Sequence, residues 1–146
     1  MKKQFYSLIF LLVASTAYTS INAQSMSVSD VEKSIKQEGK YAILAPNARY
    51  FQAAVNSGKN LKAKNPEIEF EIVLISAVTK DLATDESLIP LIELSEKMGI
   101  RIVVCEFAMN HFEVNKSDYH HSIKTTPDGF AYIFGLQELG FKTITL

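Results

Sequence analysis

From Lys40 to the C-terminus the chain alternates between apolar runs of strand length and segments with apolar residues at helical spacing. That alternation limits the fold to very few architectures. The strand-like runs are residues 41–45, 68–75, Ile100–Cys105, a brief 123–125 and 141–146. The second alternates at first (Ile68, Phe70, Ile72) and then turns continuously apolar (Val73, Leu74, Ile75), as a strand does when it passes into a doubly covered centre. Between the runs, Ala48–Lys64 places Phe51, Ala54, Val55 and Leu61 on one side of a helix, with Asn47 as its N-cap and Asn65-Pro66 as its stop. Residues 76–85 read as a polar stretch. Leu88, Leu91, Leu94 and Met98 then mark a helical face ending at Gly99, with Pro90 at its start or at a bend. Phe107, Ala108, His111 and Phe112 suggest a short helix, and residues 115–122 a polar loop. Thr126-Pro127-Asp128 reads as a helix start, Thr126 capping and Phe130, Ile133, Phe134 and Leu136 forming the apolar side. Parallel strands need a crossover, and a helix supplies it. The expected fold is therefore an α/β domain, three layers in the order α/β/α, with a roughly five-stranded parallel sheet.

Ahead of this domain, Met1-Lys2-Lys3 is basic, residues 5–17 are apolar and residues 19–23 are small or polar. This is the layout of a secretory signal, expected to be cut after Ala23, with Ala17 as the second choice. Its apolar core is short for a membrane span, a polar segment follows it, and no cysteine stands at its end to carry a lipid anchor. The expectation is an exported, periplasmic protein with no membrane attachment once residues 1–23 are removed. Residues 24–39 form a polar linker or short helix, with Val28, Val31 and Ile35 near helical spacing, and residues 40–146 the domain. Loss of Lys2 and Lys3 takes the formal charge from −1 to about −3, which does not suit nucleic acid.

Cys105 is the only cysteine in the chain and ends the most strand-like run. It cannot form an internal disulfide, so the domain depends on packing. At the carboxyl end of a parallel strand it would open onto the edge where α/β proteins bind ligands, and a helix start after it would favour a thiolate, with Glu106 opposing this if its carboxylate turned inward. Equally, free cysteine is among the most buried residue types and could simply finish a core strand. His111, six residues on, offers a candidate base. His120-His121 suggests metal, but adjacent side chains diverge and no second ligand pair has zinc-like spacing, so the pair reads as solvated loop and no metal site is assigned. Neither a G-x-G-x-x-G loop nor a G-x-S-x-G elbow is present.

The segments Lys97-Met98-Gly99-Ile100-Arg101-Ile102-Val103-Val104-Cys105, Ala108-Met109, Phe112-Glu113-Val114, Gly129-Phe130 and Leu136-Gln137-Glu138-Leu139-Gly140-Phe141 resemble the DsrE/DsrF-like (YchN-like) sulfur-relay family. The resemblance covers nearly all of residues 40–146. It implies a compact five-stranded parallel sheet sandwiched by helices, assembly as a homo-oligomer (trimer or hexamer), and a persulfide carried on Cys105 without metal or organic cofactor. Sulfur would come from a donor protein and pass to an acceptor thiol, with Asn47, Lys80 and His111 expected to line the ligand pocket. This chain differs from relay members in its export leader, in having no second cysteine to act as a resolving thiol, and in the Asn110-His111-Phe112-Glu113 segment, where relay members often carry basic residues. The alternative is a non-catalytic oligomeric protein that binds a small ligand or partner, with Cys105 packed in its core.

Overall fold

A computed structural model describes residues 26–146; the expected leader, residues 1–23, lies outside the described residues. Helix α1 (Val28–Lys33) is opened by a capping box in which Ser27 and Asp30 each bond the other's backbone N–H. It belongs to a unit that ends at Ser34, while residues from Ile35 to Leu146 form a second compact unit.

That second unit is a five-stranded sheet, β1 (Lys40–Ala45), β2 (Glu69–Leu74), β3 (Ile100–Cys105), β4 (Lys124–Thr126) and β5 (Lys142–Thr145), in the order β4-β3-β2-β1-β5. Every pairing is parallel. The connecting helices are α2 (Ala48–Lys64), α3 (Val78–Thr84), α4 (Ile89–Lys97), α5 (Glu106–His111) and α6 (Gly129–Glu138). From β1 to β4 the chain steps in one direction across the sheet, so right-handed crossovers put α2 to α5 on one face. From β4 it returns past three strands to lie beside β1. A right-handed crossover in that reversed sense puts α6 on the other face. The α/β architecture with helices on both faces expected from the sequence is thus present.

Strand alternation supplies the two cores. Ile43, Ala45, Ile72, Leu74, Ile100, Ile102 and Val104 pack with Phe51, Ala54 and Val55 of α2, Val78 and Leu82 of α3 and Ile92 of α4. On the opposite side Ala42, Leu44 and Val73 pack with Ile133 and Leu136 of α6 and with Phe141. Burying each large side chain fully contributes about 1.5–3 kcal/mol, so the larger cluster, with α2 at its centre, carries most of the stability.

Several expectations shift. Residues 76–85 contain α3, whose Val78, Thr79 and Leu82 are buried. Its start at Ala77 has no side-chain cap, so the sequence lacked the usual marker. Pro90 sits in the first turn of α4, as the start it was expected to mark, and Gly99 takes a φ of +66° after its end. The buried side of α4 is Ile92 and Ser95, with Leu91, Leu94 and Met98 flanking it half-buried. For α6 the cap is Asp128, not Thr126; Thr126 is the last residue of β4 and pairs with Cys105. Its buried side is Gly129, Ile133 and Leu136, whereas Phe130 and Phe134 are exposed.

Candidate functional site

The chain leaving β3 turns into α5 on one face of the sheet, and the chain leaving neighbouring β4 turns into α6 on the other. Adjacent strands whose exits diverge leave a crevice at their carboxyl ends, the place where open α/β sheets bind ligands. Here it is a cavity of about 540 Å³ lined by Ile75, Ser76, Cys105, Phe107, Ala108, His111, Phe112, Pro127, Asp128 and Phe130. The lining is mostly apolar, with a thiol, an imidazole, a hydroxyl and a carboxylate as its polar side chains.

Cys105, only 5% exposed, lies at the inner wall. It starts α5 but makes no side-chain cap bond there. Instead the Gly129 N–H, at the start of α6, donates to Cys105 Sγ at 3.3 Å. The next two N–H groups, of Phe130 and Ala131, donate to Asp128 Oδ1 at 2.8 and 3.3 Å. The first turn of α6 therefore divides its free donors between a sulfur and a carboxylate. The helix that faces the sulfur arrives 24 residues later in the chain, where the sequence reading had looked to the helix directly after Cys105.

Gly129 makes this approach possible. A Cβ there would lie 2.8 Å from Ile75 Cγ2 and 3.2 Å from Cys105 Cβ. Ser76, another lining residue two positions after β2, holds a φ of +62°, a left-handed conformation that costs a non-glycine residue about 1–2 kcal/mol. Its carbonyl accepts from Thr79 Oγ1 at 2.6 Å, which fixes the turn.

The other expected site residues fall differently. His111 lines the same cavity as Cys105 and is exposed, with Phe112 edge-on to its ring at 4.8 Å between centroids. Asn47 caps α2, its Oδ1 accepting from the Tyr50 N–H at 2.9 Å. Lys80 is exposed on α3, and neither Asn47 nor Lys80 is among the residues lining the cavity. Glu106 turns away from the sulfur: its Oε1 meets Thr125 Oγ1 and Lys116 Nζ, both at 2.6 Å. Those two partners, Lys116 first, hold its carboxyl below the usual range. The sequence had not marked Ile75, Asp128 or Gly129; a glycine directly after Thr-Pro-Asp was the available signal.

Two polar clusters lie elsewhere. On the α6 side of the sheet the buried Glu71 accepts from Arg101 Nη1 at 2.7 Å and from the Tyr132 hydroxyl at 2.8 Å. The rings of His120 and His121 lie 4.2 Å apart rather than diverging, and Glu96 of α4 joins them, each residue offering a ligand atom within 4.8 Å of the others. The divergence expected for neighbouring histidines is therefore wrong at this turn. Among the described residues no helix is long and apolar enough to cross a membrane.

No family model matches the chain, and no curated protein does. Solved structures match its fold. Protein MTH1491 from Methanobacterium thermoautotrophicum, of unknown function, superposes with a TM-score of 0.64 at 17% identity over 73% of this chain and 96% of its own. The conserved protein BT1422 from Bacteroides thetaiotaomicron, also of unknown function, gives 0.57 at 21% identity over 73% of this chain and 94% of its own. At these identities the likeness is one of fold, that of a five-stranded all-parallel α/β domain.

Proposed function

We propose that this protein is an exported member of the DsrE/DsrF-like group that binds or transfers sulfane sulfur through Cys105. The observation that carries the proposal is a lone thiol on the wall of a mostly apolar cavity, with a helix N–H aimed at its sulfur. In uptake, the Cys105 thiolate attacks the outer sulfur of a donor persulfide; a sulfur–sulfur bond forms at Cys105, the donor's bond breaks, and the donor leaves as a thiolate. In release, an acceptor thiolate attacks the outer sulfur and Cys105 leaves as the thiolate. No external oxidant enters either step, because each exchanges one sulfur–sulfur bond for another. The Gly129 N–H offers the inner sulfur a donor, and His111 at the rim can take or return the proton of the incoming thiol. Phe107, Phe130 and Phe134, exposed at 76%, 55% and 62%, support the homo-oligomer that the family resemblance implies, since a second copy would cover them.

One observation favours the other reading, a binding protein in which Cys105 only packs: the thiol is 5% exposed. Treating the native mature chain with inorganic polysulfide, removing the excess and adding an acceptor thiol separates the two. Sulfur transfer predicts an intact mass that rises by one sulfur and falls back on the acceptor, both steps absent in Cys105→Ser. A mass unchanged until denaturant is added leaves Cys105 as core packing.

A further inference from the structure

Away from the Cys105 cavity, Glu96, His120 and His121 each present a ligand atom within 4.8 Å of the other two. Neighbouring side chains on an extended backbone point apart, but here the chain folds back, the Ile123 N–H donating to the His120 carbonyl at 3.0 Å. That turn brings the two imidazoles together, tilted by 38°. Glu96 Oε1 reaches His121 Nε2 at 3.2 Å.

The turn is held at both ends. Tyr119 before it is buried and its hydroxyl donates to the Thr79 carbonyl at 2.8 Å; Ile123 after it is buried in the larger core. His120 Nδ1 is paired with Ser122 Oγ at 2.9 Å, which leaves Nε2 as its outward nitrogen. The Ser122 N–H also donates to Nδ1, at 3.4 Å, so both contacts from Ser122 hold the ring in place.

We propose that Glu96, His120 and His121 form a binding site for a divalent transition-metal ion of the zinc class, with water completing the coordination. Two imidazoles and a carboxylate suit Zn²⁺ and its neighbours, whereas Mg²⁺ and Ca²⁺ take oxygen ligands and Cu(I) takes sulfur. Tetrahedral ligands at about 2.1 Å from zinc lie roughly 3.4 Å apart, so the separations of up to 4.8 Å would shorten as the ion draws the side chains in. The site is independent of the sulfur chemistry proposed for Cys105.

The test is calorimetric titration of the tag-free mature chain with Zn²⁺, alongside Co²⁺ absorption spectra, in wild type, Cys105→Ser, His120→Ala, His121→Ala and Glu96→Gln. Expected are one ion per chain, binding retained in Cys105→Ser, a nitrogen and oxygen Co²⁺ spectrum, and affinity at least tenfold lower in each of the other three, the loss typical of even an outer-shell partner. Thermal unfolding without metal should match wild type in the Glu96, His120 and His121 variants, since His121 and Glu96 are exposed and His120 half-buried. Ser122→Ala, which alters no ligand, should also weaken binding. Absence of saturable binding, undiminished affinity in His121→Ala, or loss of binding in Cys105→Ser would overturn the proposal.

Discussion

Helix α6 covers two polar features of opposite character. Under its middle lies Glu71, a carboxylate 4% exposed whose oxygens are taken by Arg101 and by Tyr132. At its N-terminal end lies Cys105, equally buried, with one donor on its sulfur and a cavity beside it. Glu71 borders a cavity too, but each of its oxygens already has a partner, and the set fixes the helix over the sheet. A thiol with one partner and free space on another side has capacity left for a ligand. Burial alone does not separate the two, and partner count does.

The contrast predicts a graded series. Cys105→Ser should abolish sulfur uptake, read by intact mass, while urea unfolding stays close to wild type; uptake surviving in Cys105→Ser would remove the cavity from the chemistry. Gly129→Ala forces a methyl against Ile75 and Cys105, which should cost about 1–3 kcal/mol and slow uptake severalfold, because the N–H is pushed off the sulfur. Arg101→Ala should leave uptake intact and cost about 1–2 kcal/mol in urea unfolding, a charged hydrogen bond discounted because the Arg101 side chain is 60% exposed. Loss of uptake in Arg101→Ala would mean that the two features are coupled.

The smallest effect is one of pH. Burial first, then the hydrogen bond to Glu71, raises the Tyr132 phenol above its ordinary value of 10.0. A folded-state value above the unfolded one gives stability that is complete below the unfolded value and lost as pH climbs through the folded one. Stability should therefore fall above pH 10, with Tyr119 contributing up to about 12. Tyr132→Phe should shrink that alkaline loss at a cost near neutrality of about 1 kcal/mol, measured by urea unfolding at each pH; an unchanged alkaline limb would assign the loss to Tyr119.

How much of this was legible in the sequence differs between the sheet and the site. Strand β3 and helix α2 were read to their observed ends because long apolar runs and clear caps marked them. Helix α3 was missed because its start carries no capping side chain. Phe130 and Phe134 were read with Ile133 and Leu136 as one apolar side because hydrophobicity alone cannot tell a buried ring from one at a cavity rim or on an open face. Cys105 and His111 were marked together because both sit within one strand-to-helix connection, and both line the cavity. Asp128 and Gly129 were not, because only the reversed crossover from β4 brings the start of α6 over β3. Glu96 joins His120 and His121 through the same kind of long-range packing.

The most direct measurement is the rate at which a small thiol reagent modifies Cys105 across a series of urea concentrations below the unfolding transition. Entry through the cavity predicts a rate well above that set by global unfolding and nearly independent of urea. A rate that rises with urea in proportion to the unfolded population would show that Cys105 is reached only when the domain opens, and would contradict a functional thiol at this site.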